Sequence, residues 1–191
     1  QDDKDWQEEP LQKGDIIFRD YDGYVMQEGF FAQGEYNREI WSAFIAGTIS
    51  NSTYWREDRF YYSKDEAKSD KEHFTGFTIK GGVNYNLTEN HNVFVNIGYF
   101  SRPPHMQGGV FLQNDVSNIV NPDAMNEKVF SMEIGYGFRS FWLNANVNFY
   151  RTAWMDKATK VNVKEDRNAF VYLTGIDALH QGIELDFVLH P

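Results

Sequence analysis

The chain contains no cysteine. That excludes disulfide staples, thiolate metal sites and cysteine nucleophiles, and it leaves the compartment open. Long apolar runs are missing too. Nothing approaches the roughly 20 consecutive apolar residues of a membrane-spanning helix, and mean hydropathy is −0.59. Positive charge is scarce: 18 Lys and Arg stand against 28 Asp and Glu, for a formal net charge of −10. A surface of that sign argues against nucleic acid, whose phosphates want a basic partner. No Gly-x-Ser-x-Gly, His-Glu-x-x-His or Gly-x-x-x-x-Gly-Lys stretch occurs. The start of the chain does not read as a signal peptide, as expected of a mature chain or an excised piece.

What is abundant is aromatic and alternating. Phe, Tyr and Trp make up 17% of the 191 residues. In 127–138, Phe130, Met132, Ile134, Tyr136 and Phe138 fall on one side, with Ser131, Glu133, Gly135 and Gly137 on the other. After a turn at 139–140, Phe141, Leu143, Ala145, Val147 and Phe149 oppose Asn144, Asn146 and Asn148. Side chains alternate faces along a strand, so each segment has an oily wall and a wet wall. The same pattern marks 24–36, 40–55, 73–87, 92–101 and 177–190. Soluble sandwiches alternate as well. Strand length, repetition and a second wall of amides and carboxylates favour a membrane barrel with an aqueous lumen. The expected fold is therefore all-β, an antiparallel up-and-down meander forming part of a large transmembrane β-barrel.

The connections alternate in length. Turns at 37–39, 88–91 and 139–140 are short; loops at 56–72, 102–126 and 156–176 are long. Outer-membrane barrels keep short turns on the periplasmic side and long loops outside. On that register 1–23 is an extracellular loop segment and 24–191 is about seven barrel strands. An odd strand count would leave open edges, so the expectation is a section of a larger barrel.

Several segments resemble the barrel of TonB-dependent outer-membrane receptors of Bacteroides-type bacteria. They include Asp20-Tyr-Asp-Gly-Tyr24, Phe31-Ala-Gln-Gly-Glu-Tyr36, Trp55-Arg-Glu-Asp-Arg-Phe-Tyr-Tyr62 and Lys80-Gly-Gly-Val-Asn-Tyr-Asn86. The others are Asn92-Val-Phe-Val-Asn-Ile-Gly-Tyr-Phe-Ser-Arg-Pro-Pro104, Asn126-Glu-Lys-Val-Phe-Ser-Met-Glu-Ile-Gly-Tyr136 and His180-Gln-Gly-Ile-Glu-Leu-Asp186. The resemblance implies a barrel of roughly 22 strands around a plug. It also implies energy delivered through the TonB complex, which would act through a plug that this chain lacks. The implied cargo is a small-molecule or glycan nutrient such as a ferric siderophore, haem or cobalamin. The implied location is the Gram-negative outer membrane, in contact with its lipid. No cofactor, nucleic-acid partner or enzymatic role is implied.

Candidate residues follow from the two faces. Val95, Ile97, Phe130, Ile134, Val147 and Leu185 are expected to face lipid. Lys80, Asn84, Glu133, Asn144, Asn146, Asn148, Glu184 and Asp186 are expected to line the lumen. At 55–62, rings interleave with charges. Arg56, Arg59, Tyr61 and Tyr62 are the candidate ligand contacts, since rings stack on sugars or macrocycles and Arg pairs with carboxylates. An aromatic girdle would explain the same stretch, Trp55 above all, without any ligand. Tyr99 and Tyr136 are expected in girdles. Asp20-Tyr-Asp-Gly23 lacks the remaining ligands of a calcium loop, with Phe18 and Gly29 at two ligand positions. The acidic start at Asp2, Asp3, Asp5, Glu8 and Glu9 reads as a solvated tail. Two rival functions stand beside the receptor: a soluble or secreted β-rich glycan-binding module, and a barrel enzyme using Glu184 or Asp186.

Overall fold

In the computed structural model, residues 12–16, 20–112, 118–162 and 170–190 are described. The acidic start, residues 163–169 of the third long connection and Pro191 lie outside them. Seven strands make one sheet: β1 (Tyr21–Asn37), β2 (Trp41–Asp58), β3 (Glu72–Asn86), β4 (His91–Arg102), β5 (Glu127–Arg139), β6 (Leu143–Asn162) and β7 (Phe170–Leu189). Their order in the sheet is their order in the chain, and every neighbouring pair is antiparallel. The shortest strand, β4, has 12 residues, more than the roughly 9–11 that a tilted strand needs to cross a bilayer. Among the described residues no helix is long and apolar enough to cross a membrane, which has no bearing on strands.

The register sorts the side chains into rows. One runs Tyr36, Ala43, Val83, Val95, Ile134, Phe149, Ile183 across all seven strands. The next toward the short turns runs Trp41, Tyr85, Val93, Tyr136, Val147, Leu185. On the other face, one row runs Asn37, Ser42, Asn84, Phe94, Gly135, Asn148, Glu184. Thus one face is apolar and the other is mainly amides, carboxylates, hydroxyls and glycines with a few rings such as Phe94 among them, as alternation allows. Rings collect at both ends of the apolar face. Tyr36 and Trp41 stand 4.7 Å apart near the short turns, while Tyr24–Trp55 at 5.2 Å and Phe77–Tyr99 at 5.6 Å stack farther along.

Three expectations about boundaries change. β2 reaches Asp58, so Arg56 is a strand residue. More importantly, 156–176 is not a free loop: β6 runs on to Asn162 and β7 already begins at Phe170. Alternation fades there because 156–162 is mostly polar and 170–176 mostly apolar in sequence, yet the backbone still pairs its hydrogen-bonding groups. Register shifts fall between Trp154 and Lys157 and between Lys157 and Thr159. Asp156 has a φ of 58° and Gly175 a φ of 73°, the signature of bulged strands. At the other end β6 starts at Leu143, and Phe141 sits in the turn, 92% exposed.

The buried core is small. Tyr54, Val110 and Phe111 form it, with Phe74, Met106 and Val120 packed around. Alternation puts Tyr54 and Phe74 on the polar face, at the end bearing the long connections. The connection between β4 and β5 thus folds inward over that face rather than standing away from it.

Candidate functional site

The long-connection end is where charges and rings converge. The Asp58 side chain shapes the start of the first long connection: its Oδ1 accepts the backbone N–H groups of Phe60 (2.9 Å) and Tyr61 (3.1 Å). This is an Asx-type turn, which Asp favours because its short carboxylate reaches its own backbone. The Asp58 N–H donates to the Ala67 carbonyl (2.7 Å), closing the connection on itself.

The four candidate contacts separate here. Arg56 is only 2% exposed. It lies 3.6 Å from Asp58, and its guanidinium stands 4.0 Å from the Tyr21 ring centre and 5.5 Å from that of Phe111. The inward-folded connection therefore covers it. Arg59 is at the surface and spans two carboxylates, Nη2 to Asp20 Oδ1 (2.7 Å) and Nη1 to Asp22 Oδ2 (2.8 Å). The hydrogen bond from Arg59 holds the Asp20 carboxyl below its ordinary pKa. Tyr61 is exposed and meets Phe60 edge-on at 4.8 Å; Tyr62 is half-buried.

The inward-folded connection is tied at several points. Gln107 Nε2 donates to Tyr21 Oη (2.8 Å), Asn118 Nδ2 to the Ala67 carbonyl (2.8 Å), and Asn126 Nδ2 to the Thr75 carbonyl (2.7 Å). A Cβ on Gly23 would come within 2.8 Å of Met106 Sδ, so this glycine admits the connection.

Every candidate wall residue stands on the polar face. Asn148 is opposite Glu184, and Asn146 opposite Asp186. Asn92 Nδ2 donates to Asn84 Oδ1 (2.6 Å) and Asn96 Nδ2 to Glu133 Oε2 (3.3 Å). Glycines give this wall its low relief. Where a Cβ of Gly135 would sit, the Phe94 ring and Asn148 Oδ1 already stand; the Phe44 ring and Asn96 do the same at Gly82. A hollow of about 520 Å³ lies on β1–β4 here, bordered by Glu35, Asn37, Phe44, Lys80, Asn84 and Asn96. All six candidate lipid-facing residues are on the opposite, apolar face, and all are solvent-accessible in the isolated sheet.

One cluster has no counterpart among the sequence candidates. Arg102 closes β4 and Glu127 opens β5, directly opposite each other. Glu127 is 1% exposed and accepts from Arg102 Nε (2.9 Å), Arg102 Nη2 (2.6 Å) and the Ala158 N–H (3.2 Å). The Trp154 ring lies 5.2 Å from the Arg102 guanidinium and 5.2 Å from Lys157 Nζ. Arg102 and Lys157 fall in segments expected as loops, Glu127 at the start of a strand and Trp154 just past one, so only the bulged extension of β6 brings them together.

Among the described residues no group of three or more His, Asp or Glu is placed to hold a metal ion. His73 bonds Thr53 (2.9 Å) and His91 bonds Tyr136 (2.5 Å). Glu184 and Asp186 face amides rather than each other across a gap.

The family model "TonB dependent receptor-like, beta-barrel" matches residues 5–189. Among solved structures, the chain is similar to one titled "Copper transporter OprC", with a TM-score of 0.67 at 15% identity. The likeness covers 87% of this chain and 26% of that one, so this chain spans about a quarter of OprC's length. At that identity it speaks for the fold alone. No curated protein matches the chain.

Proposed function

The chain belongs to the TonB-dependent receptor-like β-barrel family, and from that premise we propose that it is one section of an outer-membrane receptor that imports a scarce nutrient. In this reading the apolar face meets outer-membrane lipid and the polar face lines the lumen. The short turns lie in the periplasm and the long connections outside. A plug supplied by other residues fills the lumen and couples to the TonB complex. The host is a Gram-negative bacterium of the Bacteroides type, and the cargo is a siderophore, haem, cobalamin or glycan, moved without bond chemistry.

One observation carries the reading. Val83, Val95, Ile134, Phe149 and Ile183 form a continuous exposed row between girdles of rings, and no described element covers it. A face of this kind in water is an aggregation site, whereas in a bilayer it is solvated. That favours the receptor over the soluble glycan-binding module. Within the first long connection, Tyr61 and Tyr62 are the ligand-facing candidates, Arg59 orders the entry to β1, and Arg56 supports the inward-folded connection from beneath.

The test is fractionation of cells expressing the full-length protein. It should sediment with the outer membrane, need detergent for release, and change electrophoretic mobility on boiling. Release into the soluble fraction without detergent would sink the proposal.

A further inference from the structure

We propose that Trp154, Arg102 and Lys157, held in place by Glu127, form a binding site for a singly charged, carboxylate-bearing ligand at the outer end of the polar face. The proposal rests on the receptor reading, because only in a closed barrel does this face line a channel.

The argument starts with alternation. Arg102, Glu127 and Trp154 all fall on the polar face by register. Lys157, three residues past Trp154, would fall on the other side of an unbroken strand. The register shift prevents this: Trp154 pairs with Ala178 and Lys157 with Ile176, so β6 uses one more residue than β7. Asp156, at a φ of 58°, is the residue that takes up the excess. The bulge therefore re-aims Lys157 onto the Trp154 side, a recognised use of bulges beside functional sites.

The electrostatics decide the ligand. An indole face attracts cations, and here two approach one ring. Glu127 neutralises one positive charge and fixes the Arg102 guanidinium through two hydrogen bonds. Asp156 is already engaged, with Lys128 Nζ at 2.7 Å. Among the described residues no carboxylate forms an ion pair with Lys157, and Lys157 is half-buried. Arg102, Lys157 and Glu127 together leave one positive charge beside the Trp154 ring, with the Asp177 carboxylate turned to the Asp156 N–H (3.3 Å), in a chain of net charge −10. That excess matches a monoanion such as a carboxylate better than a phosphate dianion. Arg59, by contrast, is spent on Asp20 and Asp22. A carboxylate set on Lys157 and the exposed edge of Arg102 gains charge-assisted hydrogen bonds, and the ring offers a flat surface to the rest of the ligand.

The experiment titrates the purified, detergent-solubilised full-length receptor with galacturonate, which carries one carboxylate, and with its methyl ester. The acid should bind at least about tenfold tighter than the ester, the effect of one charge-assisted contact. Lys157→Gln should abolish that preference, Trp154→Ala should weaken both forms, and Trp154→Phe should restore most of the loss. Heat-modifiable mobility of each variant reports that the barrel is intact. Equal binding of acid and ester overturns the proposal, as does a preference that survives Lys157→Gln or no binding of the acid below about 10 mM. Failed binding by a receptor that still inserts into the outer membrane sinks this site alone. Failed insertion of the unaltered protein sinks the receptor reading itself.

Discussion

Val95→Arg and Asn96→Arg put the same side chain on consecutive residues of one strand, and the structure separates their outcomes. Val95 lies near the middle of β4, between Val83 and Ile134, and is 39% exposed on the apolar face. An arginine there would face hydrocarbon. Near the bilayer midplane that costs about 2–4 kcal/mol, or about a 30- to 700-fold loss in the folding equilibrium at 1.4 kcal/mol per tenfold. Asn96 points the other way, opposite Gly82 and Glu133. An arginine at this position reaches water and can pair with Glu133, whose Oε2 already accepts from Asn96. Its cost should stay within about 1 kcal/mol, as for substitutions that only retune a lumen. The assay is refolding of the full-length protein into lipid vesicles across a guanidinium titration, read by boiling-sensitive mobility. Val95→Arg should lower the midpoint clearly and Asn96→Arg hardly at all. Equal midpoints, or a worse result for Asn96→Arg, would refute the assignment of faces.

Three further outcomes follow from the same structure. An epitope inserted after Asp65 should be reachable on intact cells and one after Glu89 should not; labelling at Glu89 would reverse the orientation. Gly135→Val should destabilise the barrel by about 1–3 kcal/mol, because Phe94 and Asn148 occupy the space, and Phe94→Ala should recover part of the loss in a two-mutant cycle read by refolding midpoint. The Asp20 carboxyl is held below its ordinary pKa by the Arg59 hydrogen bond. A depressed acid adds stability that is full above its unfolded pKa, about 4, and is lost as pH falls through the folded value. Protease nicking of the 56–72 connection should therefore rise below about pH 4, and Asp20→Asn should flatten that dependence. A pH profile unchanged by the substitution would remove the clamp from the argument.

The strands are legible because one face of the sheet is apolar at every second residue. Ile134, Tyr136 and Phe138 must be apolar while Glu133, Gly135 and Gly137 need not be, and that contrast survives in the sequence. It stops toward the long-connection end. Lys157 and Thr159 pair with Ile176 and Leu173; the sequence of the β6 extension is mostly polar and that of β7 mostly apolar, so neither alternates and the pairing leaves no periodic trace. The buried state of Arg56 was illegible for another reason. It depends on Phe111 arriving from 55 residues downstream, and the connection carrying Phe111 has no regular pattern. The cluster around Trp154 joins both difficulties, since it needs a bulge to place Lys157 and an ion pair between two strand ends to place Arg102.

The buried Arg56 and the Trp154 cluster move the open charge away from 55–62. The stretch at 55–62 looked like the contact surface because rings and cations alternate in it. In the fold, Arg56 is covered by the 102–126 connection and Arg59 is taken by Asp20 and Asp22, so its cations serve the architecture of the mouth. Its rings stay available, Tyr61 most of all. Open charge lies instead on the polar face of β4–β6, at Lys157 and the outer edge of Arg102. A ligand crossing this mouth would then meet ring contacts on one connection and a single unbalanced cation beside Trp154. The two contributions are separable. Tyr61→Ala should reduce uptake of the limiting nutrient at matched surface expression whatever the ligand's charge. Lys157→Gln should act only on an anionic one, and its effect should shrink as salt is raised, because screening weakens exposed charge contacts more than ring stacking. Uptake that is salt-insensitive in the unaltered receptor and unchanged by Lys157→Gln would assign recognition to the rings alone.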